Sequence, residues 1–331
     1  MNRDFLKKQN LKENLLKIEA MRNLHFKAEK LLKIEIFVGG LLIGSLYFLL
    51  PWSAPYIFSF LKINYSIIQP FIGFITPILS LIFTLIDLSI INPRITNIKR
   101  KTASLLEEFD GNVLQLPWNE IKVDHISEQE ILYNAHQYQE KSNNIESLKN
   151  WYPEIIDKLP HPIGCILAQR TNCWWENNLR ENYIKILKIG GLFILMSVVI
   201  FTIYVALNTQ TLINGVRTLI YGLLSFLFYY VFLLRQINDH NNSRKRLSRL
   251  MGKMEVIWQD ILHSKSQNLD ILSRQIQDEI FDFRKTTPII FDWFYNYEKD
   301  KKKISAAEFS REKVEEYFSK RNGEIQSMEK Y

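Results

Sequence analysis

The residues best equipped for chemistry lie in one short stretch, Gln169-Arg170-Thr171-Asn172-Cys173-Trp174-Trp175-Glu176-Asn177-Asn178-Leu179-Arg180. Two arginines, two tryptophans and several amides fall here within about three helical turns. A guanidinium forks onto phosphate and an indole face stacks on a nucleobase, so the stretch suits a small nucleotide. The same residues have plainer uses. Tryptophans near the end of a membrane helix serve as interfacial anchors or as core. Arg170 and Arg180 can pair instead with nearby acids such as Glu176.

No catalytic constellation accompanies this stretch. The histidines (His25, His125, His136, His161, His240, His263) show no HExxH spacing, and no cysteine pair joins them. There is no GxxxxGK[ST] loop and no GxSxG elbow. The carboxylates are scattered over amphipathic stretches. The expectation is a protein that is not an enzyme, with no metal site and no resident cofactor. Cys165 and Cys173 lie eight positions apart on one expected helix, too far for a bridge. Free thiols suit a reducing cytosol.

The elements that must position these residues are those of a membrane protein. Hydrophobic residues make up 47% of the 331, and the net charge is +7. The mean hydropathy of −0.11 looks soluble, but it averages over unlike parts, and a windowed reading is needed. Four apolar spans emerge. The first covers Ile34 to Leu50 and stops at Pro51. Gly40 and Gly44 within it form a small-xxx-small pair, a seam for helix packing or oligomerisation. A connector with Trp52, Tyr56 and Tyr65 leads to the second span, Ile67 to Ile91. Asp87 sits inside its C-terminal end. An intramembrane charge is a functional candidate by default, and hydration near the interface is the alternative. The third span covers Ile186 to Leu207 and the fourth Ile213 to Leu234, with Asn208-Thr209-Gln210 between them.

Lys and Arg fix the side. Lys27, Lys30 and Lys33 precede the first span, Arg94, Lys99, Arg100 and Lys101 follow the second, and Arg235, Arg244, Lys245, Arg246 and Arg249 follow the fourth. The short connectors and their margins on that side hold only Lys62 and Arg217. Both termini and the central insert are therefore expected in the cytosol.

The expected fold is mainly α. Residues 1–33 form a basic amphipathic helix, lying on anionic lipid or packing on its own chain. Residues 34–91 hold spans one and two, 92–185 a cytosolic insert, 186–234 spans three and four, and 235–331 a helical tail. In the insert, the segment from Phe109 to Leu116 permits a short strand or an irregular turn. Ser127-Glu128-Gln129-Glu130 is a capping box opening a helix through Glu140. Beyond Pro160 and Pro162, a helix begins near Gly164 and runs into the third span. In the tail, Leu247, Leu250, Met254, Ile257 and Ile261 continue the fourth span as a helix. A second tail helix covers Asp270 to Arg284. The last starts at the capping box Ser305-Ala306-Ala307-Glu308, after a solvated lysine loop at Lys301, Lys302 and Lys303.

Three groups of residues carry a resemblance. One is Phe109-Asp110 followed by Leu116-Pro117-Trp118-Asn119. The next is Trp151-Tyr152-Pro153 with Gln169-Arg170-Thr171-Asn172, Trp175 and Leu179-Arg180. The third lies in Ile276 to Tyr295, with Arg284, Pro288 and Asp292-Trp293-Phe294-Tyr295. In this order, on a two-span, insert, two-span, tail topology, the chain resembles the SMODS-associating four-transmembrane effector family of bacterial antiphage signalling. It departs from the pattern with Glu176 where Asp is expected and Ala168 where Cys is expected.

The resemblance implies an effector in the bacterial inner membrane. It would sense a cyclic oligonucleotide and disrupt the bilayer, stopping the infected cell. On that expectation Arg170 and Arg180 hold phosphate, Trp118 or Trp175 stacks a base, and Asn119 and Asn172 read base edges. The partners are then the lipid bilayer, the cyclic oligonucleotide and further copies of the chain, and no DNA or RNA polymer. The alternatives are a non-enzymatic scaffold or interaction protein, and after it a channel or transporter. Only Asp87 is a clear intramembrane charge and no inverted repeat is visible, which disfavours transport.

Overall fold

The computed structural model describes residues 5–141, 145–208, 211–265 and 268–328, and among these the chain is helical with no strand. It divides into two compact units.

The smaller unit holds Glu29–Ile95 and Ile184–Asp239. The helix α1 (Lys12–Glu35) passes into a π-helical stretch, Ile36–Leu42, and then α2 (Ile43–Phe60). Next come α3 (Tyr65–Ile86), a second π-helical stretch Asp87–Ile91, and α4 (Asn92–Leu114). Many large apolar side chains face outward, among them Phe71, Phe193 and Leu212. Such a surface needs hydrocarbon around it.

Among the described residues two helices are long and apolar enough to cross a membrane, Phe74–Leu114 and His161–Leu207. They carry the expected second and third spans. The first span does not stop at Pro51, because α2 continues to Phe60. An apolar helix tolerates the proline where its freed carbonyl finds other partners. The left-handed Lys62, at φ 56°, then closes the helix. The fourth span is divided at Phe226 into α7 (Leu212–Ser225) and α8 (Leu227–Leu262). Gly40 sits in the first π-helical stretch and Gly44 in α2, but the packing around them falls outside the described residues, as does part of the connector at Thr209 and Gln210.

The larger unit comprises Met1–Ala28, Thr96–Tyr183 and His240–Tyr331. Its core includes Phe5, Ile18, Phe109, Ile166 and Trp258. Of the two readings of the N-terminal helix, packing on its own chain is the observed one, since Ile18 and Leu24 lie in that core. The Phe109–Leu116 segment is no strand. The helix α4 runs to Leu114, because Phe109, Val113 and Leu114 all point into the core and Asp110 is fully buried among partners.

The helix α5 (Glu128–Lys141) starts as the capping box requires, with the Glu130 N–H donating to Ser127 Oγ at 3.3 Å. The long helix α6 (His161–Leu207) begins just before Gly164 and has no break. Gly164 is needed there, since a Cβ would meet the Phe5 ring at 2.9 Å. After α9 (Leu269–Thr286) comes α10 (Asp292–Met328). The expected start at Ser305 is thus corrected: Ser305 lies inside α10 and its hydroxyl donates back to the Lys301 carbonyl. Lys301, Lys302 and Lys303 are helical rather than a loop, and Lys302 pairs with Glu298 at 3.5 Å.

Candidate functional site

The larger unit encloses a cavity of about 620 Å³, within the usual range for ligand sites. Its walls come from α1, α4, the loop around Trp151-Tyr152-Pro153, the first half of α6, α9 and α10. Seven lysines and arginines line it against two glutamates. A concave surface with that surplus concentrates anions.

The helix α6 presents Asn172, Trp175, Glu176 and Arg180 to the cavity. They recur at spacings of three and four, so they share one helical face. Opposite them stands Tyr295 of α10, its ring centroid 6.2 Å from that of Trp175. The Arg22 guanidinium covers the Tyr295 ring at 4.1 Å and pairs with Asp292 at 3.5 Å. The Trp175 and Tyr295 rings are tilted by 36°, and flat aromatic and guanidinium faces of this kind suit a planar base.

Arg180 is buried and held on several sides. Its Nη1 donates to His240 Nδ1 at 2.8 Å and to the Pro288 carbonyl at 2.9 Å, and its Nη2 pairs with Glu176. Its Nε has no hydrogen-bond partner among the described residues. Arg284 of α9 also lines the cavity and donates to Asp110 at 2.6 Å. Cys173 lies on the same wall, where burial pushes its thiol up to about 12 and keeps it protonated. Among the described residues no group of three or more His, Cys, Asp or Glu is placed to hold a metal ion.

The other sequence candidates lie elsewhere. Arg170 does not line the cavity. It pairs with Glu255 and lies 4.5 Å over the Phe309 ring. Trp118 stacks on His125 at 4.4 Å and packs on Ala103, Val123 and Phe281. Asn119 donates to both carboxylate oxygens of Asp278 at 3.1 Å. Asp87 lies in the smaller unit and lines a separate cavity. The structure thus places Arg170, expected to hold phosphate, Trp118, expected to stack a base, and Asn119, expected to read a base edge, outside this cavity. Each is already engaged with a partner from a distant part of the chain.

Sequence reasoning passed over Arg22, Lys99, Lys303 and Arg311, all in the lining. Lys303 had a signal of sorts in the lysine run. The others look like ordinary surface charges until the helices are placed.

His240 reports on this site. It is fully buried, and its Nδ1 must stay unprotonated to accept from Arg180. Burial first, and the Arg180 charge next, push its pKa down to about 2. Below about pH 6.5 an unfolded chain takes up a proton here that the folded chain refuses. Stability is thus lost as pH falls below that value, by about 1.4 kcal/mol per pH unit for this one group. Unfolding of the wild type between pH 6.5 and 4.5 should be correspondingly steeper than that of His240→Gln. Parallel profiles would refute the assignment.

The model of the SMODS-associating 4TM effector domain matches residues 3–312. The chain is also 25% identical over 313 residues to a probable CBASS effector molecule of Bacillus cereus (strain VD146), covering 90% of this chain and 95% of that one. No solved structure matches. With a family match running from the N-terminal segment into the last helix, the chain belongs to the SMODS-associating 4TM effector domain family and is a membrane protein.

Proposed function

We propose that this protein is the membrane effector of a CBASS-type bacterial antiphage system. It senses a cyclic oligonucleotide in the cavity of the larger unit and disrupts the inner membrane, arresting or killing the infected cell. Its termini and insert face the cytosol, it acts as a homo-oligomer, and it catalyses no reaction. The observation that carries the reading is the cavity itself. Its basic surplus suits a ligand with several phosphates, and the Trp175, Tyr295 and Arg22 planes suit bases. The family and the Bacillus cereus relative support the effector role.

Signal transfer falls to α6. One uninterrupted helix carries Trp175 and Arg180 and then the apolar stretch to Leu207. A ligand shifts such an element only by binding one arrangement more tightly than the other.

The test is dye release from liposomes carrying the purified protein, with a panel of cyclic di- and trinucleotides. One member of the panel should trigger leakage and raise the melting temperature of the protein. A panel that binds without leakage would refute the membrane output. A panel that neither binds nor causes leakage would refute the sensing role.

A further inference from the structure

The smaller unit contains a second cavity, of about 480 Å³, that the nucleotide reading does not use. Three charged residues line it: Glu35, Asp87 and Arg235. Glu35 and Asp87 are buried, and Asp87 Oδ1 has no hydrogen-bond partner among the described residues. A buried carboxylate oxygen without a donor is costly and persists where something else supplies the donor. Both acids also sit at π-helical stretches. Glu35 directly precedes Ile36–Leu42 and Asp87 opens Asp87–Ile91. Such irregularities concentrate at functional sites.

The rest of the lining has a direction. Pro77 lies ten residues before Asp87 on the same helical run, about 15 Å further along the axis. Leu227 lies eight residues before Arg235 on α8, about 12 Å further along. The charges thus stand at one end and an apolar groove extends from them into the span. Leu81, Leu88, Leu227 and Val231 line the groove and are more than half exposed. It therefore opens sideways, toward the hydrocarbon that surrounds this unit.

We infer that this groove binds a phospholipid with a primary ammonium head group, of the phosphatidylethanolamine type. Its chain lies along Leu81, Leu227 and Val231, its phosphate meets Arg235, and its ammonium donates to Asp87 and Glu35. Two carboxylates beside one guanidinium complement that zwitterion. A free metal cation would leave the apolar groove unused and would face Arg235. A purely anionic lipid would leave Asp87 without a donor.

The test uses the full chain, released in mild detergent with equal amounts of phosphatidylethanolamine, its N-methylated forms and phosphatidylcholine of identical acyl chains. Native mass spectrometry reads what is retained. A primary ammonium offers three N–H donors and a choline none, so about tenfold preference for the former is expected, graded through the methylated series. Asp87→Asn should bring the preference within about twofold. Arg235→Gln should weaken all of these lipids alike. Equal retention of the ethanolamine and choline lipids by the wild type would overturn the proposal, as would an Asp87→Asn protein with its preference intact. Should that variant fail to assemble, the methylation series on the wild type still decides. Leakage triggered by a cyclic nucleotide is a separate readout, so failure here and failure of the sensing role are distinguishable.

Discussion

Asp110→Ala should lower the stability of the larger unit by roughly 3–5 kcal/mol, a fall in melting temperature of about 10 °C or more. Asp110 is fully buried. Its Oδ1 accepts from the Tyr152 hydroxyl at 2.7 Å, and its Oδ2 from Gln277 at 2.8 Å and Arg284 at 2.6 Å. One turn earlier, the buried Glu107 accepts from Gln277 at 3.0 Å and pairs with Arg274. The two acids thus clamp α4 to α9. Removing Asp110 leaves Arg284 charged, nearly enclosed and without its acid. That is far worse than never having had the pair, since the cost of desolvating the guanidinium then has no offset. Asp110→Asn keeps an acceptor and the shape, and should cost less. Thermal unfolding of the purified protein checks both. A melting temperature for Asp110→Ala within about 3 °C of the wild type would show that the clamp is not structural.

That clamp was beyond the reach of sequence reading. The segment from Phe109 to Leu116 permits a short strand or an irregular turn, since Asp, Gly and Asn disfavour a helix interior and favour turns. The helix persists because Asp110 has three side-chain partners, two of them about 170 positions away, and because Phe109 and Val113 are core. Long-range partners override local propensity, and no local pattern encodes them. The second half of α6 was legible for the opposite reason. Its signal is an apolar run with no breaker, which depends on nothing distant. The same logic explains the misplaced start at Ser305. A Ser-x-x-Glu box is local, but the helix begins earlier, at Asp292, where the fully buried Phe294 packs on Tyr183 of α6.

The site was half legible. Asn172, Trp175 and Arg180 share one helical face, and the structure places all three in the cavity lining. The opposite wall was not, because Arg22 and Arg311 reach the cavity from the two ends of the chain. Arg170 and Trp118 lie outside the lining, and residue type alone does not tell a cavity residue from an internally paired one. Arg170 already has Glu255, and Trp118 already has His125.

That difference gives the sharpest test of the proposed sensing role. Arg311 is exposed at the cavity wall and has no ion pair among the described residues. On that proposal, Arg311→Glu should weaken binding of whichever cyclic oligonucleotide triggers leakage by at least about 30-fold, through one lost charge-assisted contact and one added repulsion. Trp175→Ala should cost between about 5-fold and 150-fold, the range for losing one stacked base. Arg311→Glu leaves no buried charge unpaired, so its melting temperature without ligand should move little, whereas Trp175→Ala also gives up the Tyr295 contact and is read by its affinity. Arg170→Ala and Trp118→Ala should do the reverse. They lie outside the cavity, so affinity should hold while stability falls through the lost contacts to Glu255, Phe309 and His125. Calorimetric titration of the purified protein, paired with thermal unfolding, separates the two classes. Full affinity in Arg311→Glu and Trp175→Ala would remove this cavity from the sensing mechanism. Lost affinity in a well-folded Arg170→Ala would point to a site around Glu255 and Phe309 instead.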